Sequence, residues 1–104
     1  MKLWIDDVRP APEGYVWLHS VNQAKECIRG LESNYGSSPY YTVELISLDH
    51  DAGDYASDGG DYIRLLDWFE VTGRNYPIRI HSANVVGVEN MRRIIRRNGW
   101  TEVF

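Results

Sequence analysis

The chain has 104 residues, a length that suits one domain, residues 1–104, with one real hydrophobic core. Hydrophobic residues make up 43% and charged residues 25%, as in a soluble globular protein, and a net charge of −4 excludes the broad basic footprint that duplex DNA requires. Cys27 is the only cysteine, Asp6 and Asp7 interrupt any apolar leader, and no stretch approaches the ~20 apolar residues of a membrane span, so a cytoplasmic protein without membrane contact is expected.

Residues 2–5 form a short apolar run and read as the first strand, ending at Asp6-Asp7. Two prolines and a glycine make residues 8–14 a loop. Residues 15–18 (Y-V-W-L) read as the second strand. Ser20 and Gln23 have the spacing of a capping box, and Val21, Ala24, Ile28 and Leu31 form one stripe of the helix that follows. That helix should end between residues 30 and 34, and residues 35–42 read as loop.

Residues 43–48 read as the third strand and run into Asp49-His50-Asp51. Residues 52–60 are polar and glycine-rich, with Asp58-Gly59-Gly60-Asp61 read as a flexible entry to a helix and a candidate lid. That helix spans residues 61–71, with Tyr62, Leu65, Leu66 and Phe69 inward. Residues 77–80 read as the fourth strand, ending at His81-Ser82. Asn84 can cap a last helix over residues 85–98, with Val88, Met91, Ile94 and Ile95 inward and four arginines on a solvated face. Residues 100–104 read as a short strand or a docked tail.

Strands alternating with helices predict a mainly parallel sheet covered on both faces. Ligands of such sheets bind beyond the carboxyl ends of the strands. Asp6-Asp7, Asp49-His50-Asp51 and His81-Ser82 all stand at such ends, so they should meet at one edge.

The motifs Asp6-Asp7-Val8-Arg9-Pro10-Ala11-Pro12, Asp49-His50-Asp51 and His81-Ser82-Ala83-Asn84, in this order, resemble those of the cyclic-phosphate processing receiver domains, relatives of response-regulator receivers. The resemblance covers nearly the whole chain. It implies a receiver-like (flavodoxin-like) three-layer α/β sandwich with strand order 2-1-3-4. It also implies hydrolysis of cyclic phosphates on nucleotides or at RNA ends. The chain departs from the family pattern at Val85, where members often have proline, and at Ala52, where they often have leucine. A phosphorylated receiver also needs a lysine after its fifth strand, and only Lys2 and Lys25 are present. Phosphorelay signalling is therefore not expected.

Asp6, Asp7 and Asp49, with Asp51 beside them, offer hard oxygen ligands suited to Mg²⁺ or Mn²⁺. Taken singly, each could instead cap a helix or form an Asx turn. Clustered carboxylates repel one another unless a cation or proton intervenes. His81 and His50 are candidate proton carriers because imidazole titrates near neutral pH, with Asp49 as a further catalytic candidate. Strand alternation sends Asp49 and His50 to opposite faces, so a core role for one histidine stays open. Arg9, Ser82 and Asn84 can hold phosphate oxygens. Arg9 could equally pair with a surface carboxylate, and Asn84 could simply cap its helix. Three functions follow: a metal-dependent phosphoesterase, a module that captures a nucleotide or phosphate without turnover, and an inert receiver-like scaffold that binds proteins.

Overall fold

The computed structural model describes residues 1–35 and 42–104. Its strands are β1 (Lys2–Ile5), β2 (Tyr15–Leu18), β3 (Leu45–Leu48) and β4 (Ile78–Ile80). Its helices are α1 (Val21–Tyr35), α2 (Ile63–Thr72) and α3 (Val85–Asn98), with a 3-10 turn at Gly53–Ser57. All strand pairs are parallel and the order is β2-β1-β3-β4, the order expected for a receiver-like fold. Most of the loop expected over residues 35–42 lies outside the described residues. No helix among the described residues is long and apolar enough to cross a membrane.

Alternation along the strands sorts the side chains into two faces. Leu3, Ile5, Ile46, Leu48 and Ile78 join one core with Val21, Ala24 and Ile28 of α1, with Leu65, Leu66 and Phe69 of α2, and with Met91, Ile94 and Ile95 of α3. Tyr62 is buried in the same core, while Val88 is only half-buried. Every described helix therefore packs on this aliphatic face. The reason lies in the connections. Right-handed crossovers from β2 to β3 and from β3 to β4 move the same way across the sheet and put their helices on one side.

The step from β1 to β2 runs the opposite way and should carry its connection over the other face. A parallel crossover usually takes a dozen or more residues and a helix. Here residues 6–14 make it without one. Pro10 and Pro12 forbid a helix there, and Gly14, at φ +86°, turns the chain into β2. The third layer is thus a loop and a set of aromatic side chains. Trp4 Nε1 donates to the Arg9 carbonyl at 2.9 Å, and Trp17 Nε1 donates to the Asp6 carbonyl at 2.8 Å.

The helix ends follow local chemistry. Ser20 Oγ accepts the Gln23 amide at 3.0 Å, while the Gln23 side chain reaches back to the His19 amide at 2.9 Å, one residue before the cap. Asn84 Oδ1 caps α3 by accepting the Gly87 amide at 2.9 Å. Gly99, in a left-handed conformation, closes that helix. The tail docks as a single parallel bridge between Glu102 and Ile78 beside β4. Arg92 fastens it through an ion pair to Glu102 at 2.8 Å.

The stretch expected as a flexible lid is instead pinned. Asp58 accepts Ser20 Oγ at 2.6 Å and Asn22 Nδ2 at 3.0 Å, and its carbonyl takes the Asn22 amide. Gly59, at φ +111°, lies so close to Val21 and Asn22 that a Cβ would not fit. The first turn of α1 thus holds the entry to α2 in place.

Candidate functional site

The carboxyl ends of β1, β3 and β4 converge as their parallel order requires. One oxygen from each of Asp6, Asp7 and Asp49 lies within 4.8 Å of the others. Asp6 is fully buried and Asp49 nearly so. Burial by itself would raise the Asp6 pKa. The amides of Arg9 and Val8, at 2.8 and 3.0 Å, and His81 outweigh it, so Asp6 is held below the usual carboxylate range. Asp7 moves the other way. Burial, and then the charges of Asp6 and Asp49, push its carboxyl up. The charge part of that shift is what carboxylates crowded at one edge produce.

His81 bridges the sheet to this cluster. Its Nε2 lies 2.9 Å from Asp6 Oδ2 and its Nδ1 2.8 Å from Ser47 Oγ. Burial keeps the imidazole below its ordinary pKa despite the pull of Asp6 and Asp49. A neutral ring donating from Nε2 to Asp6 and accepting the Ser47 hydroxyl at Nδ1 satisfies all three groups. Trp4 lies flat against it, with centroids 3.7 Å apart and planes 6° apart. Ser47 is fully buried, so this Ser-His-Asp chain cannot present a nucleophile. Both His81 nitrogens are engaged, Nε2 with Asp6 and Nδ1 with Ser47.

Arg9 spans the cluster from outside. Its guanidinium donates to the His81 carbonyl at 3.2 Å and lies 3.7 Å from Asp6 and 3.8 Å from Asp49. About half of the side chain is exposed, so it can turn towards a ligand.

The other expected residues fall into a neighbouring group. His50 Nδ1 lies 2.8 Å from Asp51 Oδ1, and Asn84 Nδ2 donates to both Asp51 oxygens at 3.2 and 3.3 Å. The His50 contact, then that of Asn84, hold the Asp51 pKa down. The His50 ring packs on Gly87, where a Cβ would overlap it. Asp51 is exposed and clusters with His50 and Asp61, apart from the three buried-edge aspartates. Ser82 Oγ accepts the Asn84 amide at 3.1 Å and so shapes the start of α3. The structure thus brings Asp6, Asp7, Asp49, Arg9 and His81 together and sets His50, Asp51, Ser82 and Asn84 alongside.

The family model for the cyclic-phosphate processing receiver domain matches residues 1–97. The chain belongs to this family. No curated protein and no solved structure matches it. The match spans all three of the strand ends that meet in space.

Three residues of the site were not singled out in the sequence. Ser47 is a polar residue inside the apolar run Leu45–Leu48, two positions before Asp49 and on the same face, which was a usable signal. Gly53, at φ +55°, abuts the Asp7 carboxylate so closely that a side chain would overlap it. Gly87 makes room for His50. Nothing in the local sequence distinguishes these two glycines from ordinary turn or helix glycines.

Proposed function

We propose that this receiver-like domain is a metal-dependent phosphoesterase that opens cyclic phosphates carried by nucleotides or RNA ends. The observation that carries the reading is the cluster of Asp6, Asp7 and Asp49, one oxygen of each lying within 4.8 Å of the others, while burial and then the charges of Asp6 and Asp49 push the Asp7 carboxyl up. Its donors are all hard oxygens and its excess is negative, which fits Mg²⁺ or Mn²⁺. Asp6, Asp7 and Asp49 would hold the ion. Asp51 stands in the adjoining His50-Asp51-Asp61 group and would reach it only by moving. When bound, such an ion polarises a phosphoryl oxygen and makes water easier to deprotonate.

The chain's own residues supply the rest. Arg9 turns its exposed guanidinium from the carboxylates to the phosphate, a two-pronged anion contact. His81, backed by Ser47 and Trp4, fixes the Asp6 carboxylate and can pass a proton through Nε2. His50 has its Nδ1 oriented by Asp51, leaving Nε2 to take a proton from water or give one to the leaving alkoxide. Ser82 and Asn84 line the start of α3, where amides favour an anion.

A second reading is capture of a cyclic phosphate without turnover, and it is favoured by the engagement of both His81 nitrogens. One experiment separates the two. The protein is incubated with Mg²⁺ or Mn²⁺ and 2′,3′-cyclic, 3′,5′-cyclic and cyclic oligonucleotide substrates, with Asp49→Asn in parallel. Metal-dependent product that disappears in Asp49→Asn supports the enzyme. Stoichiometric binding without product supports capture. Neither binding nor product removes both.

A further inference from the structure

We propose that Trp17, His19 and Tyr55 form a nucleobase subsite beside the acid cluster, so that the cyclic phosphate is borne by a nucleoside rather than by a bare sugar or polyol. The proposal rests on the cyclic-phosphate reading above and assigns the residues that would hold the base.

Trp17 and His19 alternate along the edge strand β2 and its exit, so their rings emerge on one side. Their centroids are 4.5 Å apart with planes tilted by 32°. Tyr55 continues the series, with centroids 5.1 Å from His19 and a 33° tilt. Both ends of the ladder adjoin backbone next to the acid cluster. Trp17 donates from Nε1 to the Asp6 carbonyl. Tyr55 sits in the 3-10 turn Gly53–Ser57, whose first residue abuts the Asp7 carboxylate.

Single exposed aromatics are common on protein surfaces. Tyr55 stands outside the hydrophobic core. Its turn contributes no buried residue, yet the ring is held against His19 and left 38% exposed. Its outer face meets no other ring among the described residues. A nucleotide carries its base one sugar away from its phosphate, which matches a stacking surface two residues from the Asp7 contact. Aromatic faces take any base, so the subsite would select for the presence of a base and not for its identity. Such a base can come from a mononucleotide or from the end of an RNA strand.

The test compares 2′,3′-cyclic AMP, an oligoribonucleotide ending in a 2′,3′-cyclic phosphate, and glycerol 1,2-cyclic phosphate, all with Mn²⁺. Binding is read by calorimetry and turnover by chromatography. Wild type should bind cyclic AMP more tightly than the glycerol compound. Tyr55→Ala should shrink that preference about 5- to 100-fold, and Tyr55→Trp should keep it. Equal affinity for the two nucleic ligands places one base in the subsite, and extra affinity for the oligonucleotide adds a strand to it. A wild type with no preference for the base, or a preference that survives Tyr55→Ala, overturns the subsite. Base-dependent binding without turnover would keep the subsite and sink the hydrolytic reading. Turnover of all three at equal efficiency would do the reverse.

Discussion

His81 and Asp6 are 75 residues apart in the chain and 2.9 Å apart in space. Ser47, fully buried on the strand between theirs, closes the chain of hydrogen bonds on the other ring nitrogen. Ser47→Ala removes the hydrogen-bond partner of His81 Nδ1, a partly buried nitrogen. It should cost about 1–3 kcal/mol of stability, measured as a lower urea midpoint at unchanged slope. A loss below the error of that measurement would show that water replaces the hydroxyl.

Divalent cations should stabilise the protein through the acid cluster. At a hundredfold excess over the dissociation constant, binding adds about 2.7 kcal/mol, read as a rise in melting temperature with Mg²⁺ or Mn²⁺. Asp49→Asn should abolish that rise. Without metal, Asp7→Asn should be neutral or stabilising, because burial and then the charges of Asp6 and Asp49 disfavour the ionised Asp7 carboxylate. A cation response that persists in Asp49→Asn would move the metal elsewhere.

Gly53→Ala sets a side chain at a left-handed position and against the Asp7 carboxylate. The conformational penalty alone is about 1–2 kcal/mol. Cation binding should weaken as well, because Asp7 must move. Mn²⁺ titration and thermal melting on the same sample read both effects. Unaltered Mn²⁺ affinity would separate Asp7 from the ion.

Gly87→Ala places two effects in opposition. Alanine in a helix gains roughly 1 kcal/mol over glycine. The new Cβ would overlap the His50 ring at its base, where no flexible end can swing aside. Overpacking of this kind costs about 1–3 kcal/mol, so the net change should be destabilising. His50 ring protons should shift in the NMR spectrum while those of His81 stay in place. A stabilised variant would mean that His50 leaves its pocket cheaply.

The pH dependence of stability should carry the mark of Glu32, Arg74 and Tyr76. Glu32 receives Arg74 at 2.8 Å and the Tyr76 hydroxyl, and the Arg74 contact holds its pKa below the ordinary 4.5. A carboxylate with a depressed folded-state pKa stabilises above its unfolded value, and the gain is lost as pH falls through the folded value. Stability should therefore drop below about pH 4.5, and Glu32→Gln should flatten that limb. Burial, then Glu32, pushes the Tyr76 phenol up to about 12 from 10.0. Its contribution is present below pH 10 and lost as pH rises from there towards about 12. Urea melts across both ranges check the two limbs.

The order of apolar runs and turn signals was enough to place every strand and helix of the described chain to within two residues at most ends. Periodicity is a local property, and each of these elements shows it clearly. The motifs were legible as strand ends, and a parallel sheet must bring such ends to one edge. Asp6, Asp7 and Asp49 therefore met as expected. What lies on each sheet face was less legible, because the two prolines that forbid a helix after β1 do not reveal that aromatic rings fill its place.

Partner choice within the edge belonged to the tertiary structure alone. Asp51 follows Asp49 by two residues, yet it turns to His50 and Asn84 because the chain leaves the sheet there and strand alternation no longer applies. Arg9 lies over the carboxylates because the short β1–β2 connection folds back to Trp4. The loop at Asp58 is pinned because the first turn of α1 offers it two donors. Local sequence sets where a side chain starts and which way its backbone runs. Which group it meets depends on contacts between distant segments, and those exist only once the sheet has formed.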